Sequence, residues 1–301
     1  MDKTSPAEHL IRQRMTSLTR ALSGARRGDV PSIHQARVAT RRLGEALPLV
    51  ASGEHGRMLG RTLRKVRRAL GPVRELDVAL LNLEDLEAAG HVPRPAIIRL
   101  RQVIQQERRL LHGVMRRQLD RVNVDKLRRR AIAMARKQSA VAGERGRSGA
   151  SQRLIDATLR AARRASTMRA AIDGVAGIYL PDRLHAVRIA LKKVRYAKEL
   201  VRELSGSRAV TALRTLKQAQ ELLGRMHDLE ILIARTRAMQ GSAGAASLRL
   251  SADLDIVVRW LETECRQLHG QYMANRKALV TICDRIEAAA ARMVATASPA
   301  A

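Results

Sequence analysis

One pattern of eleven residues occurs twice in this chain. "IHQARVATRRL" occupies 33–43 and "LHAVRIALKKV" occupies 184–194, an offset of 151 positions. His34 aligns with His185, Arg37 with Arg188, Val38 with Ile189, Arg41 with Lys192 and Arg42 with Lys193. A second pair follows in the same order. "RALGPVRELDVAL" (68–80) matches "ELLGRMHDLEILI" (221–233) at an offset of 153, pairing Gly71 with Gly224, Glu75 with Asp228 and Asp77 with Glu230. Two ordered matches at nearly one offset indicate an internal duplication. Such a chain is constrained to build one unit twice, and the arrangement expected of it is two units related by a pseudo-two-fold axis.

The unit is helical. Apolar residues recur at the helical period nearly everywhere, and no run of alternating β-branched residues appears. The spacing predicts helices at roughly 5–25, 31–51, 55–70, 73–89, 95–138, 151–174, 181–204, 207–223, 226–240 and 247–295. The intervening "ARRGDVP", "LGPV", "AAGHVPRP", "LSGS" and "QGSAGAAS" carry turn residues suited to antiparallel neighbours, with Asp29 an N-cap and Pro31 in the first turn. The fold class expected is all-α. It comprises two antiparallel helical bundles, halves 1–142 and 151–301 of a single domain spanning 1–301, joined by a short linker near 143–150.

The duplicated helices have one basic face. At about 100° per residue, Arg37 and Arg41 lie within about 60° of His34, with Ala36, Ala39, Leu43 and Leu47 opposite. His185, Arg188 and Lys192 repeat this, and Arg195 extends the second face. From Arg57 to Leu70 there are six basic residues and no acid, with like-charged i, i+4 pairs at Arg57–Arg61, Arg61–Lys65 and Arg64–Arg68. A solvated helix face normally mixes signs, because like pairs repel by a few tenths of a kcal/mol. A face this uniform calls for an anion.

Charge and composition narrow the anion. The 57 basic residues, 9 Lys and 48 Arg, outnumber 28 acids and give a formal net charge of +29. A compact fold carries that excess only against self-repulsion, so a polyanionic partner is expected, although compositional drift toward Arg also contributes to the total. Aromatic residues are Trp260, Tyr179, Tyr196 and Tyr272 alone, with no Phe. Readers of single-stranded nucleic acid stack bases on aromatic platforms, and four scattered rings supply none. Duplex backbones and base-free polyphosphates remain. Cys265 and Cys283 form no metal-binding spacing and read as free thiols of a reducing compartment. No run reaches the roughly 18 apolar residues of a membrane span, so the protein is expected to be soluble and cytoplasmic.

These motifs resemble the CHAD family, the conserved histidine α-helical domain. The resemblance is carried by "IHQARVATRRL", "LHAVRIALKKVRY", "LGPVRELD" and "LGRMHDLE", and it covers essentially the whole chain. It implies an all-helical protein with two related bundles and a basic central channel that binds inorganic polyphosphate. Some members carry an amino-terminal tunnel domain; this chain resembles the stand-alone form, so the hydrolase chemistry of that domain is not implied. Carried residue by residue, the resemblance implies phosphate contacts from His34, Arg37, Arg41 and Arg42, and from His185, Arg188, Lys192, Lys193 and Arg195. The helices before each Leu-Gly would add Arg64, Lys65 and Arg68, then Arg214 and Lys217. Glu45 stands where the second copy has Tyr196, and Glu221 where the first has Arg68, which weakens each half locally. The two histidines read either as charged ligand contacts or as buried groups that orient the helix pair.

No nucleotide-loop, metalloprotease or nucleophile-elbow pattern is present. The recurring acids Glu75, Asp77, Asp228 and Glu230 read as counterions or first-turn acids rather than a catalytic set. The expectation is therefore a non-catalytic polyphosphate-binding protein, with no cofactor and no metal, associated with polyphosphate granules. The alternative is a protein that binds duplex nucleic acid without regard to sequence, along the basic segment 95–138.

Overall fold

The structure is a computed structural model that describes residues 6–51, 53–143, 147–175, 177–242 and 248–297. Nine helices and no strand occur among the described residues: α1 (Pro6–Arg26), α2 (Val30–Val50), α3 (Gly53–Ala89), α4 (Arg94–Asp120), α5 (Val124–Gly143), α6 (Arg147–Asp173), α7 (Pro181–Ser205), α8 (Thr211–Ser242) and α9 (Leu248–Ala297). The all-α expectation holds. Local chemistry sets several boundaries. Asp29 caps α2, its side chain accepting from the Ser32 amide at 3.0 Å, with Pro31 in the first turn. Gly28 before it has φ 87°, and Gly206 after α7 has φ 64°, backbone that glycine adopts without a Cβ penalty. The expected turn "QGSAGAAS" falls largely on 243–247, and the expected linker partly on 144–146, outside the described residues.

Three boundaries differ from the reading of the sequence. The expected break at "LGPV" is absent, and α3 runs through Pro72. The buried stripe Leu59, Leu63, Val66, Leu70, Val73 and Leu76 keeps its phase across the proline, which lies exposed on the outer side. Burial on both sides of the missing hydrogen bond outweighs the local cost. α8 likewise runs through Gly224. Conversely, the single helix expected at 95–138 is divided after Asp120. Asn123 Oδ1 accepts from the Lys126 amide at 2.8 Å, which starts α5 afresh.

The helices pack in the same neighbour order in both halves. α1 lies on α2, α2 on α3 and α3 on α4; α6 lies on α7, α7 on α8 and α8 on α9. Two hydrophobic cores result. One gathers α1, α2, α5, the start of α3 and the end of α4, around Ile11, Leu18, Ile33, Leu43, Val66 and Met115. The other gathers α6–α9 with the end of α3 and the start of α4, around Leu83, Leu100, Met168, Leu191, Leu229 and Leu261. α3 and α4 thus serve both cores, and α2 meets α7 and α3 meets α8 across the seam. Cys265 and Cys283 are free and buried in the second core, and burial pushes their thiols up to about 11 and about 12. No helix of the described residues is long and apolar enough to cross a membrane.

Candidate anion-binding site

The contact of α2 with α7 places the two copies of the duplicated pattern against each other. Between them, closed by α3, α6 and the middle of α8, lies a cavity of about 890 Å³. α2 supplies Arg37, Thr40 and Arg41; α7 supplies His185, Arg188, Lys192 and Lys193; α3 supplies Arg57, Arg64 and Arg67. α6 adds Arg160 and Arg164, and α8 adds His227. Ten Arg and Lys side chains line this space, and Glu45 is the one acid among the lining residues.

The cations crowd one another. Burial, followed by the fields of Arg41, Arg67, Arg74 and Arg188, holds the Arg37 guanidinium down at about 10. Arg37 Nη1 donates weakly to the Arg67 carbonyl at 3.4 Å, and it passes so close to Gly71 that a Cβ there would sit 3.3 Å from it. This gives the duplicated Leu-Gly a packing reason in the first half. Burial, then Arg188 and Arg41, drives the Lys192 ammonium down to about 6, with Asp228 opposing. Arg188 is lowered by burial, and Asp228, its nearest counterion, stands 3.8 Å away. Its buried Nε has no hydrogen-bond partner. A buried donor of a charged group left unmatched is costly.

His185 and His227 stand within hydrogen-bond distance, their Nδ1 atoms 3.2 Å apart. Behind them Glu230 lies 3.7 Å from His227 Nδ1 and accepts from the Tyr179 hydroxyl at 2.6 Å. His185 therefore lines the cavity and also links α7 to α8. Burial, His227, Arg188 and Lys192 all lower its proton affinity.

Of the residues expected from the sequence, the structure brings Arg37, Arg41, Arg64, His185, Arg188, Lys192 and Lys193 together on the cavity wall. The others lie elsewhere. His34 and Arg42 line a separate crevice between α1 and α2, where Arg42 Nε donates to Glu199 at 3.2 Å. Burial and the charges of Arg74, Arg37 and Arg41 keep His34 below the usual histidine range. Arg195 stacks over the Tyr196 ring at 4.3 Å, donates to Gln220 at 2.7 Å and pairs with Glu199. Lys65, Arg68, Arg214 and Lys217 stand on exposed outer faces, with Lys217 3.5 Å from Glu221. The face α3 presents is rotated by about 60° from the 57/61/64/68 stripe, toward residues 60, 64 and 67. Gly53, Gly56 and Gly60 lie on that rotated face, and their spacing was the available signal for Arg67.

Arg160 and Arg164 were missed altogether. They form an i, i+4 pair on α6 above the buried stripe Ala157, Ala161 and Ala165. Both reach Glu45, at 3.4 Å and 2.9 Å. Glu45 was read as a local weakening of the first copy; its observed contact is to hold these two guanidinium groups at the wall. The recurring acids also have partners. Asp77 accepts from Arg108 at 2.6 Å and Glu75 from Arg235 at 3.1 Å.

The repeated motif thus walls a basic interhelical cavity in an all-helical protein. Its family is the one those motifs resemble. The profile of the CHAD domain matches residues 9–237, and the chain belongs to the CHAD domain family. The crystal structure of the CHAD domain from the plant Ricinus communis is similar in fold, with a TM-score of 0.63 and 20% identity over 91% of each chain. PptA from Streptomyces chartreusis is also similar, with a TM-score of 0.53 and 16% identity over 95% of this chain and 98% of that one. No curated relative matches the chain.

Proposed function

We propose that this protein binds inorganic polyphosphate in the α2–α7 cavity without chemically altering it, and that it does so in the cytoplasm, at polyphosphate granules. The observation that carries the reading is the cavity itself: ten Arg and Lys side chains against one acid, with Arg188 Nε left without a partner and burial disfavouring the charged form of Lys192. A base-free chain dense in acceptor oxygens matches guanidinium forks without requiring aromatic stacking. The CHAD resemblance supports the same ligand. Duplex nucleic acid is the competing polyanion, and salt dependence does not separate the two. A displacement assay does: labelled long-chain polyphosphate should resist duplex DNA at equal phosphate concentration, and displacement by DNA would sink the proposal.

Binding should also take up protons. In the empty protein, Lys192 titrates at about 6, below the usual lysine range, so near neutral pH the unfolded chain binds a proton there that the fold does not. The stability of the empty protein accordingly rises with pH from about 6 toward the normal lysine range. An anion beside Lys192 reverses this by favouring the charged form. Affinity for polyphosphate is expected to strengthen as pH falls from about 8 to about 6. Calorimetry in buffers of different ionisation heat should register proton uptake at neutral pH, and Lys192→Met should reduce it. Uptake unchanged in that variant would assign the proton to His185.

A further inference from the structure

Two crevices outside the cavity are lined by residues that correspond under the sequence repeat, and they are not equivalent. One lies between α6 and α7 and has a volume of about 350 Å³. It shares Arg160, Arg164 and Lys193 with the cavity wall and adds Arg163 and Thr167. No acid lines it, and Arg163 is exposed and has no ionic partner among the described residues. The other lies between α1 and α2, at about 460 Å³. Ala39 and Arg42 there correspond to Ala190 and Lys193 at the offset of 151. Arg14 and Ser17 correspond to Arg164 and Thr167 at an offset of 150.

The α1–α2 crevice is neutralised from within. Arg14 is only 7% exposed, donates to Glu203 at 2.6 Å and also to the Arg42 carbonyl at 2.6 Å. Arg42 pairs with Glu199, four residues before Glu203 on α7. This crevice shares no lining residue with the cavity. Two of its three guanidinium groups, Arg14 and Arg42, already hold carboxylates that an incoming phosphate would have to displace, and the third, Arg20, stands exposed. In the α6–α7 crevice, Arg160 and Arg164 both lean on one acid, Glu45, at the cavity end, and nothing offsets Arg163 at the outer end.

Resting on the reading of the cavity as a polyphosphate site, we infer that a long polyphosphate chain leaves the cavity in one direction only. It runs through the α6–α7 crevice, held by Lys193 and Arg163, while the α1–α2 crevice stays closed to it. The continuous line of cations from the cavity to Arg163 is an extension that short chains do not reach. The protein therefore distinguishes long chains from short ones by this second contact, and the exit is polar with respect to the two repeats.

The test compares tripolyphosphate with long-chain polyphosphate by calorimetric titration at fixed salt, on the full chain and two variants. Arg163→Glu reverses the charge in the open crevice, and Arg20→Glu does so in the closed one. Both side chains are exposed and make no bond that the fold depends on. Arg163→Glu is expected to shrink the preference for the long chain by about tenfold and to flatten its salt dependence, since a phosphate contact is lost. Arg20→Glu is expected to leave the preference as it was. An undiminished preference in Arg163→Glu, or an equal loss in Arg20→Glu, overturns the inference while leaving the cavity reading in place. If the unaltered protein takes up neither phosphate, the cavity reading falls and this inference falls with it.

Discussion

Reversing Arg37 and Arg188 together to Glu is expected to abolish tight polyphosphate binding while leaving helix content intact. The two arginines are aligned copies of one position, one on each wall of the same cavity. Burial, with nearby cations adding to it, lowers the proton affinity of each, and Arg188 carries a buried Nε without a partner. A charged hydrogen bond contributes about 1.5–3 kcal/mol, so losing both amounts to about 3–6 kcal/mol, or at least a hundredfold in affinity. The introduced carboxylates add repulsion to that loss. Titration calorimetry with tripolyphosphate reads the effect, and circular dichroism checks the helices. The milder pair Arg37→Gln and Arg188→Gln should show the same direction without new charge. Affinity surviving both pairs of substitutions would move the ligand away from the α2–α7 wall.

Asp77→Ala is expected to be the most damaging single change to stability. Asp77 stands on α3 where the two cores meet, its side chain 0% exposed, and Arg108 on α4 is 21% exposed. Arg108 Nε donates to Asp77 Oδ1 at 2.6 Å, and its Nη2 donates to the carbonyl of Gly28 at 2.9 Å, in the turn before α2. One ion pair thus ties α3, α4 and the α1–α2 turn across the seam. Removing one partner of a buried pair costs about 3–5 kcal/mol, because the other charge is stranded. The background of +29 charges supplies few replacement acids. Denaturant unfolding should show a lower midpoint at an unchanged slope. Asp77→Asn, which keeps an acceptor oxygen, should lose less. An Asp77→Ala midpoint close to that of the unaltered protein would mean that water already shields Arg108.

Particular residues show where sequence reasoning succeeded and where it stopped. Arg37, Arg41, Arg188 and Lys192 were legible because periodicity put them on one face and the duplication paired them. Lys65 and Arg68 lie off the cavity wall because a like-charged stripe locates a face only to within tens of degrees, and packing sets the final rotation of α3. Pro72 was read as a stop, since local propensity says so; the apolar stripe that carries α3 through it was also visible, and it prevailed. Asn123 is a capping residue whose signal was passed over inside a long basic helix.

By itself the sequence determined the helical class, the repeat of its motifs and the excess of positive charge. Those follow from period, repeat and composition, which are properties of neighbouring residues and of totals. Only the tertiary structure decided which cations remain available. Arg14 finds Glu203 across 189 positions and Arg42 finds Glu199 across 157, while Arg160 meets Glu45 across 115. An ion pair depends on a distance of a few ångströms between side chains, and the fold alone sets that distance for residues so far apart in the chain.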